Sequence, residues 1–388
     1  MIPQLRSYLL DNWADLPVGR QHKRPRRLEF LVQATGISKL CCYIFADDED
    51  HPRWVAKMPR TPRDNGILAH EYGVTEHLRT TGNAYVRLTI AAPLFTTTIA
   101  DHLVGIEPYL AGRPMDGLMS TASDQNAPEI LKNLEISIDW LLRCQQSTGS
   151  KAERPSAAEI ENCLRSISFM KATSRLTASE AAYLDRLSAQ FTQLAGVPLP
   201  LTFKHGDFQP GNILVDGSAI HVIDWEFGAI SQLPLHDVFG FIARTYARYR
   251  GLEEMDEQLD EYLADFETVF FEGGSFTGPT LKYVAQACEA LGVDRAWVKT
   301  LFGLFVVNEA NKYNILLSRR AERGYVYLLG TKDGGEQHSY VEQLARQKQV
   351  HLLGYLAEHE DRLIFRDVEA HFETPHQNKH RVTVGVRQ

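Results

Sequence analysis

The chain has 388 residues, of which 44% are hydrophobic and 23% are charged. This mixture is usual for a globular protein, so a disordered chain and a small disulfide-stapled scaffold are excluded, and two or three packing units are expected. The 41 Lys and Arg against 49 Asp and Glu give a net charge of −8, the wrong sign for attraction of the whole surface to nucleic acid or anionic lipid.

The N-terminal segment, MIPQLRSYLLDNWADL, places Leu5, Leu9 and Trp13 at helical spacing and lacks the apolar block of a signal peptide. No stretch approaches the ~18 consecutive apolar residues that cross a bilayer. Five cysteines without a CxxC pair favour reduced thiols over a disulfide framework or a zinc ribbon. We therefore expect a cytoplasmic protein with no nucleic-acid or membrane partner.

Residues 1–109 are predicted to form a β-rich lobe behind an N-terminal helix. The runs LEFLVQAT, KLCCYIF and RWVAKM are β-branched and aromatic, and Gly36 and an acidic turn separate them. A helix is predicted from residue 64 or 65 to about 80, with apolar residues on one face. A further strand pair is predicted in YVRLTIAAPLFTTT and HLVGIEPYL.

Residues 110–330 are predicted to form a mainly helical lobe. PEILKNLEISIDWLLRCQQ, SAAEIENCLRSISFM and ASEAAYLDRLSAQFTQLA repeat apolar residues at helical spacing, and further helices are predicted over 235–317. Residues 331–388 are predicted to contain a last helix, 336–358, and a tail. Together these patterns predict an α+β protein.

The chemically informative segment is FKHGDFQPGNILVDGSAIHVIDWEFG. Two short apolar runs flank an Asp-Gly turn, which predicts a β-hairpin. Folding that hairpin brings Asn212, before the first strand, within about one or two residue steps of Asp224, after the second. Asp207 lies on the loop just before it. Three oxygen-bearing side chains should therefore converge at the mouth of the hairpin.

An amide oxygen and a carboxylate are hard ligands of the type that Mg²⁺ takes, together with water and substrate phosphates. Asp207, outside the hairpin, is placed to accept the proton of a substrate hydroxyl as that oxygen attacks a phosphoryl group. The pattern therefore predicts a base beside a pair of metal ligands, as phosphoryl transfer requires.

HGDFQPGN followed by VIDWEFG resembles the aminoglycoside phosphotransferase and choline kinase superfamily, relatives of the protein kinases. The resemblance implies a bilobal protein-kinase-like fold. It also implies that Asp207 is the catalytic aspartate, that Asn212 and Asp224 are metal ligands, and that Glu226 is a second acidic position. The remaining implied positions are structural: His205 and Gly206 in the catalytic loop, and Asp237, in LPLHDV, as the aspartate that braces it.

A kinase also needs a cationic side chain on a strand to hold the nucleotide phosphates, and a carboxylate on a helix to orient that cation. Lys57, in RWVAKM, is the preferred cation, and Lys39 on the preceding strand is the weaker rival. Glu71 faces the apolar side of its predicted helix, where it needs a partner, so a Lys57–Glu71 pair is expected. Gly36 occupies the place of a phosphate-covering loop, without a GxGxxG pattern.

The segment VGIEPYLAGRPM resembles the hinge between the lobes of this family, and Glu107 to Leu110, including Tyr109, are candidates for reading the purine through the backbone. An edge strand followed by a loop is the equal alternative. For the acceptor, residues 251–281 contain nine acidic residues and no Lys or Arg. They form either an acidic wall for a cationic ligand or an ordinary solvated helix face. Four aromatic residues could form a box for a quaternary amine or belong to the core: Trp225, Phe227, Tyr246 and Tyr249.

These patterns predict an enzyme that transfers the γ-phosphoryl group of ATP, with Mg²⁺, to a hydroxyl of a small acceptor such as an aminoglycoside, an amino sugar or an amino alcohol. The alternative is a nucleotide-binding scaffold of the same fold without turnover. A kinase acting on protein is disfavoured because HRD and DFG motifs are absent from the sequence. The acceptor, GTP as an alternative donor, and the oligomeric state stay open.

Overall fold

The computed structural model describes residues 1–33, 39–119, 127–149, 155, 157–217, 219–250, 259–323 and 351–365. Within these ranges an antiparallel sheet occupies the N-terminal part and helices dominate the rest. The predicted α+β, bilobal architecture is confirmed.

The sheet of the first lobe has the order β1-β2-β3-β5-β4, and every neighbouring pair is antiparallel. Its strands are β1 (Leu28–Gln33), β2 (Lys39–Ala46), β3 (Trp54–Pro59), β4 (Phe95–Ile99) and β5 (His102–Pro108). Cys41 lies opposite Lys57 in the β2–β3 register. Because side chains alternate along a strand, Lys39, two residues before Cys41, shares a face with Lys57.

Helices cover both faces of this sheet. On one face, α1 (Ile2–Asp11) packs the buried Leu5 and Leu9 into a core that includes Ile44 and Met58, and the short α2 (Pro17–Gln21) follows it. On the other face, α3 (Asn65–Thr81) packs against β3 and β5 and buries Glu71. The face that carries the two lysines is therefore the face that meets a helix carboxylate.

The prediction that a strand begins at YVRL is wrong. Residues Ala84–Leu88 form the short helix α4, because the side chain of Asn83 caps it by accepting a hydrogen bond from Val86 N–H. The β-branched Val86 is fully buried there, so packing outweighs its strand propensity. The strand begins only at Phe95.

The helical lobe buries one large core, which α3 joins through Val74 and Leu78. The three helices predicted before the hairpin and the helical region after it are present. The helices are α5 (Ala127–Thr148), α6 (Ala157–Thr173), α7 (Ala178–Leu194), α8 (His236–Tyr249), α9 (Leu259–Phe270), α10 (Thr277–Leu291) and α11 (Val298–Arg323). A capping box of Thr177 and Glu180 starts α7.

Five short strands carry the loops of the site: β6 (Arg113–Pro114), β7 (Thr202–Lys204), β8 (Ile213–Asp216), β9 (Ala219–Val222) and β10 (Ala229–Gln232). β8 and β9 form the predicted hairpin, and Gly217 in its turn has a φ of +59°. β7 pairs with β10. The loop after β7 and the loop before β10 are therefore held side by side.

Part of the C-terminal segment packs on the helical lobe. Residues 351–358 are helical, as predicted, whereas 336–350 lie outside the described residues. Leu363 bridges to Phe271, and Phe365 packs against Phe239 and Phe302. Among the described helices, none is long and apolar enough to cross a membrane.

Candidate active site

The loop after β7 is fixed by a buried carboxylate. Asp237, in the first turn of α8, accepts hydrogen bonds from the backbone N–H of His205 (2.6 Å) and of Gly206 (2.9 Å). Gly206 has a φ of +78°, and a Cβ there would lie 2.4 Å from the carbonyl oxygen of Phe227. Only glycine fits this position without strain, because both its backbone angle and the close approach exclude a side chain.

His205 ties the same loop to the hairpin. Its Nδ1 accepts from the N–H of Asp207 (3.3 Å), so its Nε2 carries the proton and donates to the carbonyl oxygen of Ile223 (3.0 Å). The ring packs on Trp225, with centroids 4.3 Å apart. Burial lowers the pKa of the His205 imidazole, which therefore stays neutral and serves as a bridge between two loops.

The Asp207 carboxylate is oriented by three donors. Its Oδ2 accepts from the side-chain amides of Gln209 (2.9 Å) and Asn212 (3.0 Å), and its Oδ1 accepts from a guanidinium nitrogen of Arg244 (3.1 Å). The carboxylate is partly accessible, at 18% exposed. It is thus held in one direction while a ligand in the cleft can still reach it.

The hairpin brings Asn212 and Asp224 together as its sequence predicts. The N–H of Ile223 donates to the carbonyl oxygen of Asn212 (3.0 Å), so Asp224 follows directly beside it. Asp224 has a φ of +68°. A non-glycine residue in this conformation is uncommon and is found preferentially at functional sites, where surrounding contacts hold it.

The donor set at the hairpin mouth fits a Mg²⁺ ion that keeps water and substrate oxygens. The side-chain Nδ2 of Asn212 is committed to Asp207, which leaves the side-chain oxygen Oδ1 of Asn212 as the ligand atom, together with the carboxylates of Asp224 and Glu226. Among the described residues no three His, Cys, Asp or Glu side chains are grouped to hold a metal by themselves. The set is therefore suited to a hard cation completed by phosphate, not to a cation caged by protein alone.

Glu71 is shared between two lysines. Its Oε1 lies 2.6 Å from Lys57 Nζ, the expected pair, and its Oε2 lies 2.6 Å from Lys39 Nζ. Lys39 also contacts Asp224 and lies 3.7 Å from Glu226. Burial opposes the charge on Lys39, but the carboxylates of Glu71 and Asp224 outweigh it and raise its pKa. Sequence reasoning ranked Lys39 second, although Lys39 and Lys57 lie on the same face of the sheet.

The hinge candidates divide into two environments. Glu107 is buried on β5, where its carboxylate lies 3.1 Å from Lys57 Nζ, and burial raises the pKa of that carboxyl. The N–H of Tyr109 donates to the carbonyl oxygen of Arg53 (3.1 Å), and the Tyr109 ring packs edge-on against Tyr43. Recognition of a purine by Glu107 to Leu110 stays a prediction. Gly36 lies outside the described residues.

Sequence reasoning missed a chain of ion pairs beside Asp207. Arg244 pairs with both Asp207 and Glu309 on α11, and its guanidinium lies 2.8 Å from Oε2 of Glu309. Oε1 of Glu309 lies 3.2 Å from His236 Nε2. Burial lowers the pKa of His236, so this last contact is a hydrogen bond from a neutral imidazole. The available signal was spacing, because Arg244 lies seven residues after Asp237 and therefore on the same face of α8.

A pocket of about 340 Å³ lies beside the loop after β7, between α6, α11 and the β10–α8 connection. Its wall includes Gly206, Phe227 and Glu309. Asn311, also in the wall, donates through Nδ2 to the carbonyl oxygen of Ser166 (2.6 Å), while its buried Oδ1 has no hydrogen-bond partner among the described residues. The Asn311 hydrogen bond therefore ties α11 to α6 at this pocket.

The other acceptor candidates have mainly structural surroundings. Trp225 and Tyr246 are buried in the core, so they do not form an open aromatic box. In the acidic stretch, Glu267 pairs with Arg362 and Asp265 lies 3.6 Å from Arg250. Residues 251–258 lie outside the described residues.

The two-lobed fold combines an oriented Asp207, Asn212 and Asp224 side by side at the hairpin mouth, and the Lys57–Glu71 pair. This combination defines a kinase-like phosphotransferase. In agreement, the family model of the phosphotransferase enzyme family matches residues 43–273, more than half of the chain, and the chain belongs to this family. The predicted superfamily is confirmed. No curated protein sequence matches the chain significantly.

Solved structures with similar folds include a "putative aminoglycoside phosphotransferase" from Ralstonia eutropha JMP134, with 15% identity and a TM-score of 0.55, covering 92% of this chain and 98% of that one. A thermostable mutant of aminoglycoside phosphotransferase APH(4)-Ia, with ADP and hygromycin B, has 12% identity and a TM-score of 0.51 over 90% and 98% of the chains. Amicoumacin kinase hAmiN, with AMP-PNP, Ca²⁺ and Ami, has 14% identity and a TM-score of 0.50 over 88% and 92%. At these identities the likeness establishes the fold.

Proposed function

We propose that this phosphotransferase is a small-molecule kinase that moves the γ-phosphoryl group of ATP to a hydroxyl of an aminoglycoside, an amino sugar, an amino alcohol or a related metabolite. The observation that carries the proposal is the gathering of three side chains at one hairpin mouth. There the carboxylate of Asp207 touches the amide of Asn212, and Asp224 follows directly beside Asn212.

In this proposal Asp207 orients the acceptor hydroxyl and takes its proton as the oxygen attacks phosphorus. Asn212, Asp224 and Glu226 hold Mg²⁺, which when bound neutralises charge on the phosphates. The lysine cluster around Glu71 provides the cationic side of the nucleotide site. His205, Gly206 and Asp237 keep the loop in place, because their contacts leave Asp207 little freedom to turn away.

The pocket beside the loop is the proposed acceptor site. Its volume of about 340 Å³ is within the range of small-ligand pockets. Gly206 in its wall directly precedes Asp207, and the Arg244–Glu309 pair connects the wall to the Asp207 carboxylate. The polar side chains in its wall, among them Glu159, Asn162 and Asn308, favour an acceptor that carries hydroxyl or amine groups.

A screen for ADP release tests the proposal. The protein is incubated with ATP and Mg²⁺, then with GTP, across aminoglycosides, amino sugars, choline and sugar alcohols. We expect one acceptor class to stimulate release, and Asp207→Asn to abolish the stimulation. Nucleotide binding with no turnover on any acceptor would contradict the proposal and favour a scaffold.

A further inference from the structure

The two lysines that share Glu71 differ in their second partners. Lys57 Nζ lies 3.1 Å from the Glu107 carboxylate on β5, behind the cluster. Lys39 Nζ instead contacts Asp224 and lies 3.7 Å from Glu226, both at the hairpin mouth. Lys57 thus occupies the inner side of the cluster, and Lys39 occupies the side that faces the hairpin mouth.

The two sets of partners also differ in access. The side chains of Glu71 and Glu107 are 0% and 3% exposed, so the surroundings of Lys57 are sealed. Asp224 is 33% exposed and Glu226 is 19% exposed. A ligand that enters the cleft can therefore reach Asp224 and Glu226 beside Lys39, whereas Glu71 and Glu107 are closed to it.

Charge balance separates the lysines further. Lys57 is compensated by Glu71 and Glu107, two carboxylates that have no place in the proposed metal site. Lys39 is compensated by Glu71 and, on its other side, by Asp224 and Glu226, the carboxylates proposed to hold Mg²⁺. When those carboxylates are committed to a divalent cation, Lys39 keeps only its share of Glu71 and needs a new anionic partner.

We propose that Lys39 on β2, and not Lys57 on β3, is the lysine that contacts the nucleotide phosphates, and that Lys57 is a positioning residue. The inference rests on the proposed function. Lys57 fixes one oxygen of Glu71, which presents the other oxygen to Lys39. Lys39 then exchanges its contact with Asp224 for a contact with phosphate when the nucleotide binds with its metal.

Isothermal titration with MgADP tests this division of roles. Lys39→Met should weaken binding roughly 10- to 100-fold, the effect of one lost charge-assisted hydrogen bond, and Lys39→Arg should restore part of the loss. The matched control is the double variant Lys57→Met/Glu107→Gln, which removes Lys57 together with the carboxyl group that it faces on β5. It should fold, as thermal unfolding will show, and should lose less affinity than Lys39→Met.

A second measurement needs no substitution. An acyl-phosphate derivative of ATP transfers its acyl group to the lysine amine beside the phosphates, and peptide mass spectrometry locates the label. We expect the label on Lys39. A label on Lys57 alone, or a larger affinity loss in the double variant than in Lys39→Met, would overturn this inference alone. Failure of the unaltered protein to bind MgADP would contradict the proposed function and the inference with it.

Discussion

Removing the Asp237 carboxylate should destabilise the protein through the catalytic loop. The two backbone N–H groups that donate to the Asp237 carboxylate are buried, because His205 is fully buried and Gly206 is packed against Phe227. Each buried donor left without a partner costs about 1–3 kcal/mol, so Asp237→Ala should lower the free energy of unfolding by about 2–6 kcal/mol. Asp237→Asn keeps one acceptor oxygen and should lose about half of that.

Urea denaturation followed by circular dichroism measures this change, with Asp185→Ala as the matched control. Asp185 pairs with Lys171 on the surface, where its side chain is 67% exposed, so its loss should cost under about 1 kcal/mol. If Asp237→Asn were no more destabilising than the control, the buried hydrogen bonds would not hold the loop, and this reasoning would be refuted.

Two further predictions concern the same loops. Gly206→Ala should lower the free energy of unfolding by more than Gly217→Ala, because both glycines have a positive φ but, of the two, only Gly206 lacks space for a Cβ. Thermal unfolding of the two variants tests this difference, and equal effects would exclude a steric role for Gly206. Because the pKa of the buried His205 and of the 12% exposed His236 is lowered from 6.5, acidification below that value protonates the unfolded chain first. Stability should fall below pH 6.5 by up to about 1.4 kcal/mol per pH unit for each histidine, and His236→Gln should reduce the slope in urea titrations. An unchanged slope would mean that His236 is not buried in its neutral form.

The hairpin and its neighbours were predictable because short-range rules decide them. The Asp-Gly turn fixes the register of β8 and β9, and that register places Asn212 beside Asp224. The Lys57–Glu71 contact followed from a buried carboxylate that needs a partner. In each case a local pattern and one burial argument sufficed.

Other features depend on contacts between distant segments. Lys39 and Asp224 are 185 positions apart in the sequence, so their contact depends on the folding of the whole segment between them. Nothing local separates Lys39 from Lys57 as the better cation. Glu309 meets Arg244 only because α11 packs against α8. At YVRL the strand propensity was real, but a capping bond from Asn83 and burial of Val86 outweighed it.

The central claim is that Asp207 acts on an acceptor hydroxyl during phosphoryl transfer. Its most direct test compares the unaltered protein with Asp207→Asn on the best acceptor, with phosphorylated product followed by mass spectrometry and MgADP affinity measured in parallel. We expect kcat to fall by about 10²- to 10⁴-fold, the usual contribution of a general base, while MgADP affinity stays unchanged. Full product formation by Asp207→Asn would contradict the account.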